Sequence, residues 1–300
     1  MRLLRDIAKH KAIYIMILPM VLYYIIFKYV PMYGSIIAFQ DFRVAKGIGG
    51  SDWVGLKHFI AFFDSVYFFR VLKNTLLISL YNLVFGFPVP ILFAILLNEI
   101  RNRLFKSVVQ TISYLPHFIS LVVICGLIIS FTSRDGVINS LIAFFGGERS
   151  ALLGDPANFR TIYVTSQIWQ EMGWSSIIYL AALSGINPEI YEAAKVDGAG
   201  RFRQIWSITL PSLVPVIMIL LILRIGGMME VGFEKIILLY NPNTYETADV
   251  ISSFVYRKGL AEGAEYSFTT AVGLFQAVIN FILLVGANTL SRRLSGNRLW

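Results

Sequence analysis

Cysteine is nearly absent from this chain of 300 residues; Cys125 is the only one, so no intrachain disulfide can form. Charge is sparse as well. Only 15% of residues are charged and 56% are hydrophobic, where a soluble domain averages about 25% charged. The mean hydropathy is +0.67. This balance excludes intrinsic disorder, collagen, a coiled coil and a disulfide-stapled secreted domain. Catalytic signatures are missing too. No Gly-Lys dipeptide occurs, so there is no Walker-type phosphate loop. Gly47, Gly49 and Gly50 do not open an apolar helix after a strand, as a dinucleotide fingerprint does. His10, His58 and His117 stand far apart, without metal-ligand spacing. No H-E-x-x-H, G-x-S-x-G or S-x-x-K cluster appears. An enzyme reading has no residues to rest on, and no metal or cofactor is expected to bind here.

What the chain has is long apolar runs. A bilayer core needs about 20 mostly apolar residues in a helix. Six stretches qualify: Ala12–Ala38, Val71–Leu97, Val108–Phe131, Thr161–Leu183, Leu213–Tyr240 and Phe268–Leu290. The first follows basic residues but is too long for a signal peptide and lacks a small-residue cleavage site, so it reads as a retained span. Lys and Arg concentrate on the cytoplasmic side of short loops. With an N-terminus inside, segments 1–11, 98–107, 184–212 and 291–300 carry 13 basic and 5 acidic residues. The outer segments 39–70, 132–160 and 241–267 carry 9 and 10. The formal net charge of +8 therefore describes topology, N-in and C-in, and not a nucleic-acid partner. The expected fold is an all-α polytopic membrane protein with six transmembrane helices. The whole chain, 1–300, reads as one domain. In the outer segment, Trp53 to Phe69 is aromatic-rich and reads equally as an interfacial segment or a packed external helix.

The longest cytoplasmic loop, 185–212, is the informative one. Asn187 can cap a helix, with Pro188 at its first position and Glu189 in its first turn. Gly198 and Gly200 break that helix. A second short helix is expected from about Arg201 to Ile208, with Phe202, Ile205, Trp206 and Thr209 on one face and Pro211 ending it. The pair would form a surface knob with exposed apolar side chains, which needs a partner.

The spacing of Glu192, Ala193, Ala194, Gly198, Ile208, Leu210 and Pro211 resembles the E-A-A-x-x-x-G-(nine residues)-I-x-L-P motif of permease subunits of binding-protein-dependent ABC importers. Residues 71–290 look like that family's core. Trp53-Val54-Gly55-Leu56-Lys57-His58-Phe59 and Tyr191–Ala199 are similar to the sugar-importing branch. Gly226 to Ile236 resembles its LplB-like oligosaccharide permeases of Gram-positive bacteria. The resemblance implies a type I ABC importer permease fold and a multi-pass place in a bacterial cell membrane. It implies a second permease subunit, two ATP-binding subunits that hold ATP and magnesium, an extracytoplasmic solute-binding protein and a saccharide substrate. It assigns coupling to the ATPase to Glu192, Ala193, Ala194, Asp197, Gly198, Ala199, Phe202, Ile208, Leu210 and Pro211. Small alanines permit close approach, and the glycines permit the turn.

Polar groups within spans are costly and face protein or water. Sugar recognition needs aromatic faces and hydrogen-bonding groups. Substrate-path candidates are Trp169, Gly173, Trp174, Arg224, Glu230 and Phe233. An interhelical packing network is the competing role for each. Arg224 would suit an anionic sugar such as a uronide. From the spans and buried charges alone, a secondary transporter or channel independent of ATP is the alternative.

Overall fold

The computed structural model describes residues 9–295. Arg2, Arg5 and Arg298, counted above for orientation, lie outside the described residues. The regular elements of the described chain are helices apart from one ribbon of two two-residue strands, and its contacts form two compact units.

One unit is Met1–Ser65 with Val255–Phe275. Its first helix, α1 (Lys11–Tyr24), begins an apolar stretch that runs to Phe39 and buries none of its most apolar window. Such a surface is left for lipid or a partner subunit to cover. Strand β1 (Gln40–Asp41) pairs antiparallel with β2 (Asp52–Trp53). The aromatic-rich segment then forms helix α2 (Lys57–Phe63). Phe62 is buried edge-on against Phe268 and Phe275, at 6.2 and 5.6 Å between ring centres. Phe62 is the packed residue of this helix, while Trp53, Leu56, Ile60 and Phe63 stay exposed, so one side of the segment packs and the other is bare.

The other unit is Val66–Phe254 with Gln276–Trp300. Its long elements are α3 (Phe68–Tyr81), α4 (Pro88–Glu99), α5 (Arg103–Phe118), α6 (Leu121–Thr132), α7 (Val137–Phe144) and α8 (Pro156–Ser184). They are followed by α9 (Pro188–Val196), α10 (Arg201–Gln204), α11 (Leu210–Gly226), α12 (Phe233–Leu239), α13 (Ile251–Tyr256) and α14 (Tyr266–Ser295). The last two helices extend into both units.

Among the described residues, five stretches are long and apolar enough to cross a membrane: Lys11–Phe39, Phe68–Glu99, Leu121–Phe144, Arg201–Gly226 and Tyr266–Arg293. Helix α8 carries the fourth expected span, Thr161–Leu183. It has 29 residues, but Gln167, Gln170, Glu171 and several hydroxyls keep it below the hydropathy of the others. The third span differs most from expectation. Val108–Phe131 is not one helix, because α5 ends at Phe118 and the backbone is extended at Ile119 and Ser120. Ser120 then caps α6, accepting from the Val123 amide at 3.5 Å. The fifth span, expected over Leu213–Tyr240, ends at Gly226; residues 227–232 are irregular and α12 follows.

Pro211 does not end a helix either. The chain is helical from Arg201 through Gly226, with a π turn at Ile205–Thr209. The same device recurs at Ile25–Tyr29 before Pro31 and at Asn82–Gly86 before Pro88. Each proline follows the wide turn by two residues. A helical proline lacks an N–H and its ring collides with the carbonyl four residues back. Widening that turn to i→i+5 bonding removes the collision without breaking the helix. In all three cases the residue before the proline donates its amide five residues back: Val30 to Ile25, Phe87 to Asn82 and Leu210 to Ile205.

Helix α8 carries two apolar clusters at its two ends. Phe159, Tyr163 and Val164 pack with Ile78, Ile124, Ile128, Ile236 and Val250. Tyr179 and Leu183 pack with Ile91, Ala94, Ile95 and Leu213. The polar stretch Gln167–Ser175 lies between them in the chain.

Candidate functional site

The loop 185–212 folds into the expected pair of helices. Asn187 caps α9, its side chain accepting from the Glu189 amide at 3.0 Å. At the other end Gly198 adopts φ +76°. The Ala199 amide donates to Ala194 O at 2.8 Å and the Gly198 amide to Lys195 O at 3.0 Å. This is the two-bond Schellman closure, and it requires a residue that tolerates the left-handed region. The second segment is fixed to the first. Gln204 Nε2 donates to Ala199 O at 2.7 Å, and the Tyr191 and Thr209 hydroxyls lie 2.9 Å apart. The expected common face of Phe202, Ile205, Trp206 and Thr209 does not form. Phe202 and Trp206 are 86% and 72% exposed, while Thr209 is buried. The π turn inserts an extra residue into the register and turns Thr209 inward. Glu192, Ala193, Asp197 and Gly198 are exposed, and Ala194, Ala199, Ile208 and Leu210 are half-buried. Pro211 is exposed at the start of α11. The surface thus offers a short acidic and alanine-rich helix beside two bare aromatic rings.

Two adjacent cavities lie along the polar middle of α8. The larger, about 670 Å³, is lined by Asn82, Gln167, Glu171, Trp174, Leu220, Arg224 and apolar neighbours. The smaller, about 290 Å³, is lined by Ser79, Asn82, Tyr163, Gln167, Gln170, Glu171, Arg224, Glu230, Phe233, Glu234 and Lys235, among others. They share Asn82, Gln167, Glu171 and Arg224. Trp174 stacks flat on His117, with ring centres 4.5 Å apart, and His117 Nδ1 lies 3.3 Å from Glu171 Oε2.

The floor of the smaller cavity is the break in the fifth span. Irregular backbone at membrane depth must find partners within the protein. Here side chains of four elements supply them. Ser79 Oγ donates to Met228 O. Gln276 Nε2 donates to Met229 O at 2.8 Å, and Asn280 Oδ1 accepts from the Met229 amide at 2.9 Å. Ser252 Oγ reaches Val231 O at 3.0 Å and Tyr163 OH reaches Gly232 O at 3.4 Å. Leaving one buried partner unmade costs about 1–3 kcal/mol. Asn280→Leu strands the buried Met229 amide and also removes a second bond, from Asn280 Nδ2 to Glu230 Oε1 at 3.2 Å. It should lower the midpoint of thermal unfolding in detergent more than Gln276→Leu does. Equal midpoints for both variants and the parent would refute this role.

Of the expected path residues, Trp174 lines the larger cavity, Arg224 both, and Glu230 and Phe233 the smaller. Trp169 is part-exposed and lines neither cavity. Gly173 is buried at a helix crossing, where an added Cβ would lie 2.1 Å from Ser113 O on α5. Lys235 is the residue that sequence reading passed over. It is only 2% exposed. Its Nζ donates to Gln167 Oε1 at 3.1 Å and Gln170 Oε1 at 3.5 Å, and lies 5.4 Å from the Tyr163 ring centre. Its apolar followers, Ile236 to Leu239, hid it within a span; a buried lysine beside two glutamates was the available signal.

A family model described as a binding-protein-dependent transport system inner membrane component matches residues 86–296. The polygalacturonan/rhamnogalacturonan transport system permease YteP of Bacillus subtilis (strain 168) is 50% identical, over 97% of this chain and 91% of its own. Protein LplB of the same organism is 44% identical, over 95% and 90%. Among solved structures, a bacterial alginate ABC transporter in complex with an alginate pentasaccharide-bound periplasmic protein matches with TM-score 0.92 and 46% identity, covering 100% of both chains.

Proposed function

We propose that this chain, which belongs to the family of binding-protein-dependent transport system inner membrane components, forms one side of a bacterial import path for acidic saccharides. The observation that carries this reading is Arg224. It lines both cavities and makes no ion pair among the described residues. A guanidinium on an apolar helix is costly, and a fork of donors suits a carboxylate. Trp174 offers a ring face, and Asn82 and Gln167 offer amides for sugar hydroxyls. Relatives named for polygalacturonan and alginate support a uronide substrate.

The remaining parts belong to partner subunits. A second permease completes the path, and a solute-binding protein delivers saccharide from outside the cell membrane. Two ATPase subunits bind ATP and magnesium and dock on the loop 185–212. The amide-rich break and the exposed knob are two ends of one helical run, since Arg201–Gly226 connects them. Movement of the knob on ATP binding would therefore be passed along that run to the cavities. A secondary transporter would leave the exposed Phe202 and Trp206 without use.

The test is uptake by the reconstituted complex with its binding protein. Oligogalacturonate should be imported in preference to the same saccharide with its carboxyl groups reduced. Arg224→Gln should lower uptake of the acid about tenfold, the loss of one interaction of about 1.4 kcal/mol. Equal import of both saccharides by the parent complex would refute the acidic substrate. Import by this chain without ATPase subunits would refute the coupled mechanism.

A further inference from the structure

We infer that Lys235 is a second carboxylate-binding position, so that the path holds two neighbouring acidic sugar residues at once, one at Arg224 and one at Lys235. The inference rests on the acidic-substrate reading and extends it to a residue count. Lys235 is buried, lines the smaller cavity, donates to the amide oxygens of Gln167 and Gln170 and lies over the Tyr163 ring. No carboxylate oxygen lies within ion-pair distance of it among the described residues. A buried ammonium with no carboxylate in direct ion-pair contact is an uncommon expense, and such groups are kept where a ligand supplies the charge. The two amides fix the direction of the ammonium and leave one of its three donors uncommitted.

The two cavities together suit this arrangement. They share Arg224 at their common wall, while Lys235 lines only the smaller one. A sugar chain passing from one to the other would meet the two cations in succession. Glu171, Glu230 and Glu234 line the same smaller cavity. They prevent it from becoming an anion trap. Glu171 lies against His117 and Glu230 accepts from Asn280, and carboxylates also accept sugar hydroxyls. A path must bind well enough to admit and weakly enough to release. Mixed charge around two cations meets both needs.

The experiment uses the complete transporter with its binding protein. Uptake of oligogalacturonate and of its carboxyl-reduced counterpart is measured for the parent, Lys235→Gln and Lys235→Arg. The parent's preference for the acid should fall about tenfold in Lys235→Gln, as for one lost interaction of this size, and should be largely restored in Lys235→Arg. An unchanged preference in Lys235→Gln overturns the inference, as does a loss that falls equally on both saccharides. Loss in Lys235→Arg as severe as in Lys235→Gln also overturns it, since charge would then not be what matters. A second measurement needs no variant. In the parent complex, half-esterified oligogalacturonate should be imported more slowly than the acid and faster than the full ester. Half ester and full ester imported alike would mean that a single carboxylate is read, and would overturn the second position. Absence of any acid preference in the parent overturns the underlying reading instead, so the two failures are distinguishable.

Discussion

Valine in place of Gly198 should cut substrate-stimulated ATP hydrolysis by the assembled transporter at least tenfold, while the chain still inserts. The reason is conformational. Gly198 sits at φ +76° and has no heavy atom within 4 Å of where a Cβ would project. Space is available, but the backbone angle is not. An L-residue in the left-handed region costs roughly 1–2 kcal/mol, more when β-branched. Relieving that strain means giving up the Ala199 and Gly198 bonds that close α9. Glu192, Ala193 and Ala194 would then no longer be held in fixed relation to Phe202. A graded series tests this account. Asparagine, which tolerates the left-handed region, should retain most coupling; alanine should be intermediate; valine should be worst. If asparagine and valine were equally damaging, side-chain bulk at the ATPase contact would be the cause, and the conformational explanation would be wrong.

The second large effect is expected at Gly173, and there the cause is space. An added Cβ would lie 2.1 Å from Ser113 O, 2.5 Å from its carbonyl carbon and 3.0 Å from its Cβ. The two nearest obstacles are backbone, so no rotamer change relieves them. Helices α5 and α8 would have to separate. Overpacking of a well-packed site costs typically 1–3 kcal/mol and sometimes more. Gly173→Ala should therefore destabilise the chain strongly, and Gly173→Val should prevent assembly with the partner subunits. Ser113→Gly should not rescue either variant, because it leaves the colliding carbonyl in place. Thermal unfolding and co-purification with the ATPase measure both outcomes. A stable, assembled Gly173→Val variant would show that the helices are less closely packed than the structure has them. This glycine is a packing contact that lies in the chain between residues lining the larger cavity.

Much of the loop 185–212 was legible before the structure. Asn187-Pro188-Glu189 is a local start signal and Gly198 a local stop signal, and each acts through bonds within a few residues. The register of the second segment was not legible. A π turn depends on where Pro211 stands against its own helix and whether the chain beyond it stays helical. Periodicity read at 3.6 residues per turn therefore placed Thr209 on the wrong face. The cavity lining was half legible: Arg224, Glu230, Phe233 and Trp174 line the cavities, Gly173 and Trp169 do not, and Lys235 lines the smaller one without having been singled out.

Composition and charge pattern by themselves determined that this chain is a helical membrane protein, because hydrophobic length and basic asymmetry are properties of segments. The motif determined its family for the same reason. Only the tertiary structure decided where the fifth span breaks and what repairs it. Gly226 and Gly227 permit a break, but Ser79, Gln276, Asn280, Ser252 and Tyr163, from other parts of the chain, satisfy the exposed backbone. Only the fold could place Lys235 beside two glutamines about 65 residues away and leave Arg224 without an ion pair among the described residues. Such long-range pairings are set by packing, and no local signal in the sequence carries them.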